Sequence, residues 1–356
     1  MMSFERLEAI RKSISESEVD ALLVTHPVNR RYLSGFDGSS GLLLISCNQS
    51  YLITDFRYLE QAEKQAEAFT IIRRHDELYP GLAEIINQNG WKKIGFEAKQ
   101  LIYDSYREMT EKVKSQWVPL TDTVEKLRMV KNAAELTVMS KGAAQLDRAF
   151  SHLLTLIRPG VSERQLALEL EIFLLRAGAE EKSFKFIVAS GPRGALPHGV
   201  ATEKTMMVGE MVTLDFGAVF DGYATDMTRT VCLGKPDQLQ LSIYELVRKA
   251  QAEAAKAVGP QKNTKEIDSV ARDIIEQRGY GDNFGHGLGH GIGLETHEAP
   301  TLSQLSDTIL EPGMVVTIEP GVYLPGLGGV RIEDMVYVTE TGAHSMTTST
   351  RELIII

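Results

Sequence analysis

Cysteine is nearly absent from this chain. Its 356 residues hold two, Cys47 and Cys232. They are far apart and in no metal-ligand spacing, which excludes a disulfide framework and a thiolate metal site and fits two reduced thiols in a cytoplasmic protein. Long apolar runs are missing too. No stretch approaches the roughly 18 residues that a membrane helix needs, so no membrane partner is expected. The opening Met1-Met2-Ser3-Phe4-Glu5-Arg6 carries charge at once and reads as an amphipathic helix rather than a secretory signal. Basic residues are the minority, 38 Lys and Arg against 48 Asp and Glu, for a net charge of −10. With no basic block, a nucleic-acid partner is not expected either. What remains is ordinary globular material, 43% hydrophobic and 24% charged, in a chain too long for one hydrophobic core.

The pattern is α/β. Ala21–Thr25, Gly41–Ser46 and Tyr51–Thr54 are apolar runs of strand length, and Tyr58–Ala68 and Leu82–Gln88 read as helices between and after them. Beyond about Glu125 the texture changes. Ala133–Ile157 has helical periodicity, Ser162-Glu163-Arg164-Gln165 is a capping box opening a helix to about Ala177, and Asn263 opens another that stops at Gly279. Between and after these helices the chain reads as Gly-rich strands. A boundary follows: residues 1–125 form a smaller α/β domain and residues 126–356 a second one.

The second domain contains a repeat. Val212-Thr213-Leu214-Asp215-Phe216-Gly217 and Val316-Thr317-Ile318-Glu319-Pro320-Gly321 match in pattern. Each leads through a turn to a second strand with its own carboxylate, Asp226 in one and Glu333 in the other. Asp221-Gly222 is a hairpin signal. Two matched hairpins imply pseudo-two-fold symmetry, with four acids at strand centres converging from the two halves. Acids are depleted in strands and rarely buried alone, and crowded carboxylates raise one another's pKa unless a cation neutralises them. A metal site is therefore expected.

Residues 285–297 carry three of the eight histidines, His286, His290 and His297, and glycine at every odd position from 285 to 293. A helix is excluded, since each glycine costs about 1 kcal/mol relative to alanine. In an extended chain the glycines form a bare face for close backbone approach, while His286, Leu288, His290 and Ile292 share the other. His198, in Ala195-Leu196-Pro197-His198-Gly199, is a further candidate; His26, His75, His152 and His344 lack such a context. Carboxylates with an imidazole and no thiolate suit Mn²⁺, Co²⁺, Zn²⁺ or Fe²⁺, and four carboxylates suffice to bridge a pair of ions.

These residues carry a resemblance. From about residue 130 onward the chain resembles the pita-bread metallopeptidases: Xaa-Pro dipeptidase (prolidase), aminopeptidase P and methionine aminopeptidase. The family's ligand order Asp, Asp, His, Glu, Glu falls on Asp215, Asp226, His290, Glu319 and Glu333, in matching contexts such as Gly289-His290-Gly291-Ile292-Gly293 and Glu319-Pro320-Gly321. Tyr32–Gly41 and Thr54-Asp55-Phe56-Arg57-Tyr58 resemble the N-terminal domain that prolidases, aminopeptidase P and creatinase share and methionine aminopeptidases lack.

The resemblance implies a C-terminal pita-bread domain behind a creatinase-type N-terminal domain. It implies two divalent ions, Mn²⁺ foremost with Co²⁺ or Zn²⁺ as alternatives, that activate a water to cleave the bond between an N-terminal residue and proline. Asp226 and Glu333 would bridge, Asp215 would hold one ion, and His290 and Glu319 the other. Glu319 is the implied proton shuttle. His198 and His297 would donate hydrogen bonds to substrate and oxyanion, and His286 would line the pocket beyond the scissile bond. Arg331, two residues from Glu333, is expected on the same strand face to orient ligands. Tyr223 is a candidate for the lining, against a packed hairpin aromatic. The implied substrates are Xaa-Pro dipeptides, with longer peptides carrying proline second as the aminopeptidase P alternative, and the implied assembly is a homodimer. Thr301 departs from the pattern: several prolidases have arginine after His-Glu-x-Pro, here His297-Glu298-Ala299-Pro300. More distant alternatives are a creatinase-like hydrolase and a non-catalytic binding protein, both disfavoured by the complete ligand set.

Overall fold

A six-stranded mixed sheet forms early in the chain. In this computed structural model, which describes residues 2–74 and 78–356, the chain divides into two compact units, Met1–Arg128 and Met129–Ile356. The sheet of the first runs in the order Thr70–Arg73, Ser50–Thr54, Leu42–Ser46, Ala21–Val24, Lys93–Glu97, Gln116–Leu120. Ala21–Val24 and Leu42–Ser46 are buried at every position. That is why they read as unbroken apolar runs: strands covered on both faces need no polar side. Helices Met2–Glu16, Pro27–Ser34, Leu59–Gln65, Leu78–Gln88 and Tyr103–Lys112 accompany the sheet. His75 lies outside the described residues.

The second unit is built from two similar halves. In the first, helices Ala133–Leu154 and Glu163–Arg176 cover a sheet of Met227–Leu233, Glu210–Phe216 and Ile187–Ser190, with Leu146, Phe150, Leu166 and Leu170 packed against Val212, Leu214 and Phe216. In the second, helices Gln238–Ala257 and Thr264–Glu276 pack Val247, Ala250, Ile267 and Ala271 against Val316, Ile318 and Val336 of a five-stranded sheet. The Ser162 capping box is present, with Ser162 and Gln165 satisfying each other's backbone N–H, and the Asn263 side chain caps the fourth helix. Gln238–Ala257 occupies a stretch expected to be strand. Asp237 and Gln240 form its capping box, and its buried Ile243, Val247, Ala250 and Ala254 recur at helical spacing.

Both repeat hairpins are bent. Glu210–Phe216 pairs with Met227–Leu233, but the stretch between them, Ala218–Phe220 with Tyr223–Ala224, turns away into a separate sheet. Its tip is Asp221-Gly222, both at positive φ (47° and 81°), the conformation the dipeptide predicts. Val315–Ile318 and Asp334–Val338 repeat the arrangement, with Gly321–Leu324 and Gly328–Arg331 diverted into a two-stranded sheet. Gly217 stands at the first bend because a Cβ there would run into the Thr225 carbonyl oxygen.

Candidate metal centre

The bends deliver the acids. The expectation of carboxylates at strand centres is corrected here: Asp215 is the sixth residue of the seven-residue Glu210–Phe216, Asp226 precedes Met227–Leu233, Glu319 follows Val315–Ile318, and Glu333 lies between Gly328–Arg331 and Asp334–Val338. Asp215 stays in the ladder, paired with Thr228 on one side and Ile187 on the other, whereas Asp226, Glu319 and Glu333 stand outside the strands, at the bends. Glu319 N–H then donates to Leu288 O at 2.8 Å and Glu333 N–H to Thr228 O at 3.0 Å, so both halves pin the carboxylate-bearing backbone.

The Gly-rich segment is also more broken than an extended strand. Only Gly289–Gly291 is strand, with a bulge after His290. Leu288 and Ile292 do not share an open face with the histidines; both are fully buried, in different apolar clusters. The bare face does serve close approach, since a Cβ on Gly289 would collide with the Thr317 carbonyl oxygen.

Ligand-type atoms of Asp226, His290 and Glu333 all lie within 4.8 Å of one another. His290 Nε2 is 3.3 Å from Glu319 Oε1 and 3.9 Å from Asp226 Oδ2. Its Nδ1 is 3.0 Å from Gly291 O. A carbonyl can only accept, so Nδ1 carries the proton and Nε2 faces the acids, the tautomer a metal ligand needs. Thr317 Oγ1 accepts from His290 N–H at 3.0 Å and donates to Glu319 Oε1 at 3.1 Å. Thr228 Oγ1 donates to Glu333 Oε2 at 2.6 Å, and Arg331 binds both Thr228 Oγ1 and Asp215 Oδ2.

The charges are out of balance. Burial, then the charges of Glu333, Asp215 and Glu319, push Asp226 well above the usual carboxylate range. Burial, then Glu319 and Asp215, do the same to Glu333, and burial raises Asp215 against the pull of Arg331. Glu319 goes the other way. Burial opposes ionisation, but the hydrogen bond and charge of His290 hold it at about 2. His290 is raised in turn, because the Glu319 contact outweighs burial. The buried Asp215 Oδ1, Asp226 Oδ1 and Glu333 Oε1 have no hydrogen-bond partner among the described residues. Orphaned hard oxygens from three acids around one imidazole are the donor set of a divalent cation.

All five sit in the wall of one cleft of about 850 Å³, together with His198, His286, His297 and Arg331. The His290 and His297 rings are 4.2 Å apart between centroids. His286 lies on a directed chain: Arg331 Nη1 donates to Tyr323 Oη at 2.8 Å, Tyr323 O–H donates to His286 Nε2 at 2.9 Å, and His286 Nδ1–H donates to Gly287 O at 2.7 Å. Burial lowers the pKa of His286, in keeping with a neutral ring in that chain. Tyr223 is not among the lining residues. Its hydroxyl donates to Glu135 Oε1 at 2.7 Å, so it packs the hairpin instead. Thr301 and Lys185 also line the cleft.

Thr228, Thr317 and Tyr323 are site residues that the motif reading passed over. The repeat held a signal for Thr317, which stands two residues before Glu319 as Thr213 does before Asp215. Nothing in local sequence marks Tyr323.

Known proteins resemble the chain over nearly its whole length. The model of metallopeptidase family M24 matches residues 137–340, and that of the creatinase/prolidase N-terminal domain matches residues 6–130. The chain is 45% identical to an uncharacterized peptidase of Bacillus subtilis, over 99% of this chain and 100% of that one. It is 38% identical to the Xaa-Pro dipeptidase of Pyrococcus furiosus, over 98% of this chain and 99% of that one. The solved structure of an Xaa-Pro dipeptidase from Bacillus anthracis matches with a TM-score of 0.98 at 45% identity, covering 99% of this chain and 100% of that one.

Proposed function

The chain belongs to metallopeptidase family M24, and from that premise we propose that it hydrolyses the bond between an N-terminal residue and proline, as an Xaa-Pro dipeptidase. The observation that carries the reading is the convergence of Asp215, Asp226, His290, Glu319 and Glu333, with three orphaned carboxylate oxygens, in a cleft that also holds three further histidines. Those five residues would hold two divalent ions, Mn²⁺ foremost and Co²⁺ or Zn²⁺ next. When bound, the ions supply Lewis acidity and a water acidic enough to ionise near neutral pH.

The chain's own residues do the rest. Glu319, ionised at neutral pH, takes the proton of the attacking water at Oε1 and passes it to the departing proline nitrogen. His198 and His297 donate to the substrate carbonyl as it becomes an oxyanion. Burial, then the charge of His290, lowers the pKa of His297, which favours a neutral ring that still donates through one N–H. Both nitrogens of His286 are engaged, so it offers ring surface against the proline rather than a proton. Arg331 holds Asp215 in place. Proline has no amide N–H for an enzyme to grip, so recognition through ring packing and the free amine suits it.

Thr301 brings no cation to the carboxylate of a dipeptide, which favours a second reading, aminopeptidase P acting on longer peptides. Against that stands Lys185, an exposed ammonium in the same wall. The proposal extends to a homodimer, on the resemblance, and to the cytoplasm, where the free Cys47 and Cys232 stay reduced. Among the described residues no helix is long and apolar enough to cross a membrane.

The test is to strip the protein of metal, restore Mn²⁺, Co²⁺ or Zn²⁺ in turn, and compare Ala-Pro with Ala-Pro-Ala. Faster cleavage of the dipeptide supports the dipeptidase, and faster cleavage of the tripeptide makes the enzyme an aminopeptidase P. No metal-dependent cleavage of either sinks both readings.

A further inference from the structure

His198 is exposed and sits on an irregular stretch, Gly191–Thr202, which has one short 3-10 turn, Gly191–Ala195, and no strand of its own beyond a single bridge from Val200 to Ile187. Loops of this kind drift unless something outside them fixes them. The something here is Glu163, the first residue of helix Glu163–Arg176, whose side chain is fully buried. Its Oε1 accepts from Ser190 N–H at 2.9 Å and Ser190 Oγ at 3.0 Å, just before the loop. Its Oε2 accepts from Arg193 Nη1 at 3.0 Å inside the loop. The same oxygen accepts from Thr202 N–H at 3.1 Å and Thr202 Oγ1 at 2.8 Å at the far end. One carboxylate thus closes the loop by holding both ends and its middle. The residue preceding His198 is held separately, by Arg331 Nη1 on Pro197 O at 3.1 Å.

The other half of the unit uses the same device. On helix Thr264–Glu276 the fully buried Asp268 pairs with Arg272 at 2.8 and 2.9 Å. Arg272 donates to Phe284 O at 3.0 Å and to His286 O at 2.8 Å, and Asp268 Oδ1 accepts from Leu288 N–H at 3.0 Å. In each half, then, the second helix sends a buried acid under the loop that presents a histidine to the cleft.

We propose that Glu163 is a positioning residue for His198: it has no place in the cleft wall, and it acts on the reaction by fixing the loop that carries that imidazole. The inference rests on the reading of the cleft as an Xaa-Pro peptidase site. Misplacing a reacting group by about 1 Å from a distant position can cost about 100-fold in rate.

The experiment is a double-mutant cycle on the metal-loaded enzyme with Ala-Pro, crossing Glu163→Gln with His198→Ala and measuring kcat, KM and bound metal. Gln keeps the shape but turns an NH2 toward donors. Glu163→Gln is expected to lower kcat about 10- to 100-fold, with KM and metal content near those of wild type. In the His198→Ala background it should cost less than about 3-fold more, because residues acting as one unit are not additive. Thr202→Val, which removes one donor and leaves the carboxylate in place, is expected to show a smaller loss with the same non-additivity, and it replaces Glu163→Gln if that variant does not fold. Multiplicative losses in the cycle, or a folded variant with wild-type kcat, would overturn the role while leaving the peptidase reading intact. A wild type that cleaves no Xaa-Pro peptide overturns both.

Discussion

Glu333 is 1% exposed, ringed by other acids, and raised well above the usual carboxylate range. In the metal-free protein its charge is a liability. Glu333→Gln removes that charge and keeps an acceptor for Thr228 Oγ1. The variant is therefore expected to melt about 2–4 °C higher than wild type in the presence of a chelator, and to lose nearly all hydrolysis of Ala-Pro when metal is restored. A lower melting point in calorimetry would show that the carboxylate is not strained there. Lys185 tests specificity at the same scale. Lys185→Met should raise KM for Ala-Pro about fivefold, the effect of one exposed ion pair, with kcat unchanged and the amide of Ala-Pro unaffected. Equal effects on acid and amide would remove Lys185 from carboxylate recognition.

At the scale of elements, the bent hairpin is the unit that makes the site. Gly217→Ala sets a methyl against the Thr225 carbonyl, and such overpacking costs about 1–3 kcal/mol. Urea unfolding should show that loss, and metal affinity should fall with it because Asp215 and Asp226 flank the bend. An unchanged midpoint would mean that the bend relaxes freely. The hairpins were legible in sequence because Asp221-Gly222 is a local signal and because the two carboxylate segments match. The bends were not. They depend on where Thr225 and Leu288 come to lie, which no neighbour in sequence reports. Asp237 and Gln240 mark the start of helix Gln238–Ala257 locally, but the flanking Gly234 and Gly259 fit a strand-and-turn pattern for the same stretch. Tyr323 and Glu163 escaped for the reason that hides most supporting residues. Their partners, Arg331 and His286 for one, Ser190 and Thr202 for the other, are assembled only by the fold. The five proposed ligands, by contrast, stand in recognisable local contexts, and all five line one cleft.

For the whole molecule the same charges link stability, pH and metal. Asp226, Glu333 and His290 bind protons more tightly in the folded chain than in the unfolded one, from ordinary values of 3.8, 4.5 and 6.5. A raised folded pKa gives stability that is present below the ordinary value and lost as pH rises through the raised one. Glu319, depressed from 4.5 to about 2, contributes stability above 4.5 that is lost as pH falls toward 2. The metal-free protein is thus expected to lose melting temperature from about pH 4.5 upward. Divalent ions take the place of those protons, so at saturating Mn²⁺ the melting temperature should climb with pH over the same range, and metal binding should release protons. Parallel pH profiles with and without metal would contradict this.

The most direct test of the account is a titration of the stripped protein with Mn²⁺, following Ala-Pro hydrolysis and bound metal together. The account predicts no hydrolysis without metal and activity that saturates at two ions per chain. Hydrolysis that is already complete in the stripped protein, or absent at full metal load, would contradict it.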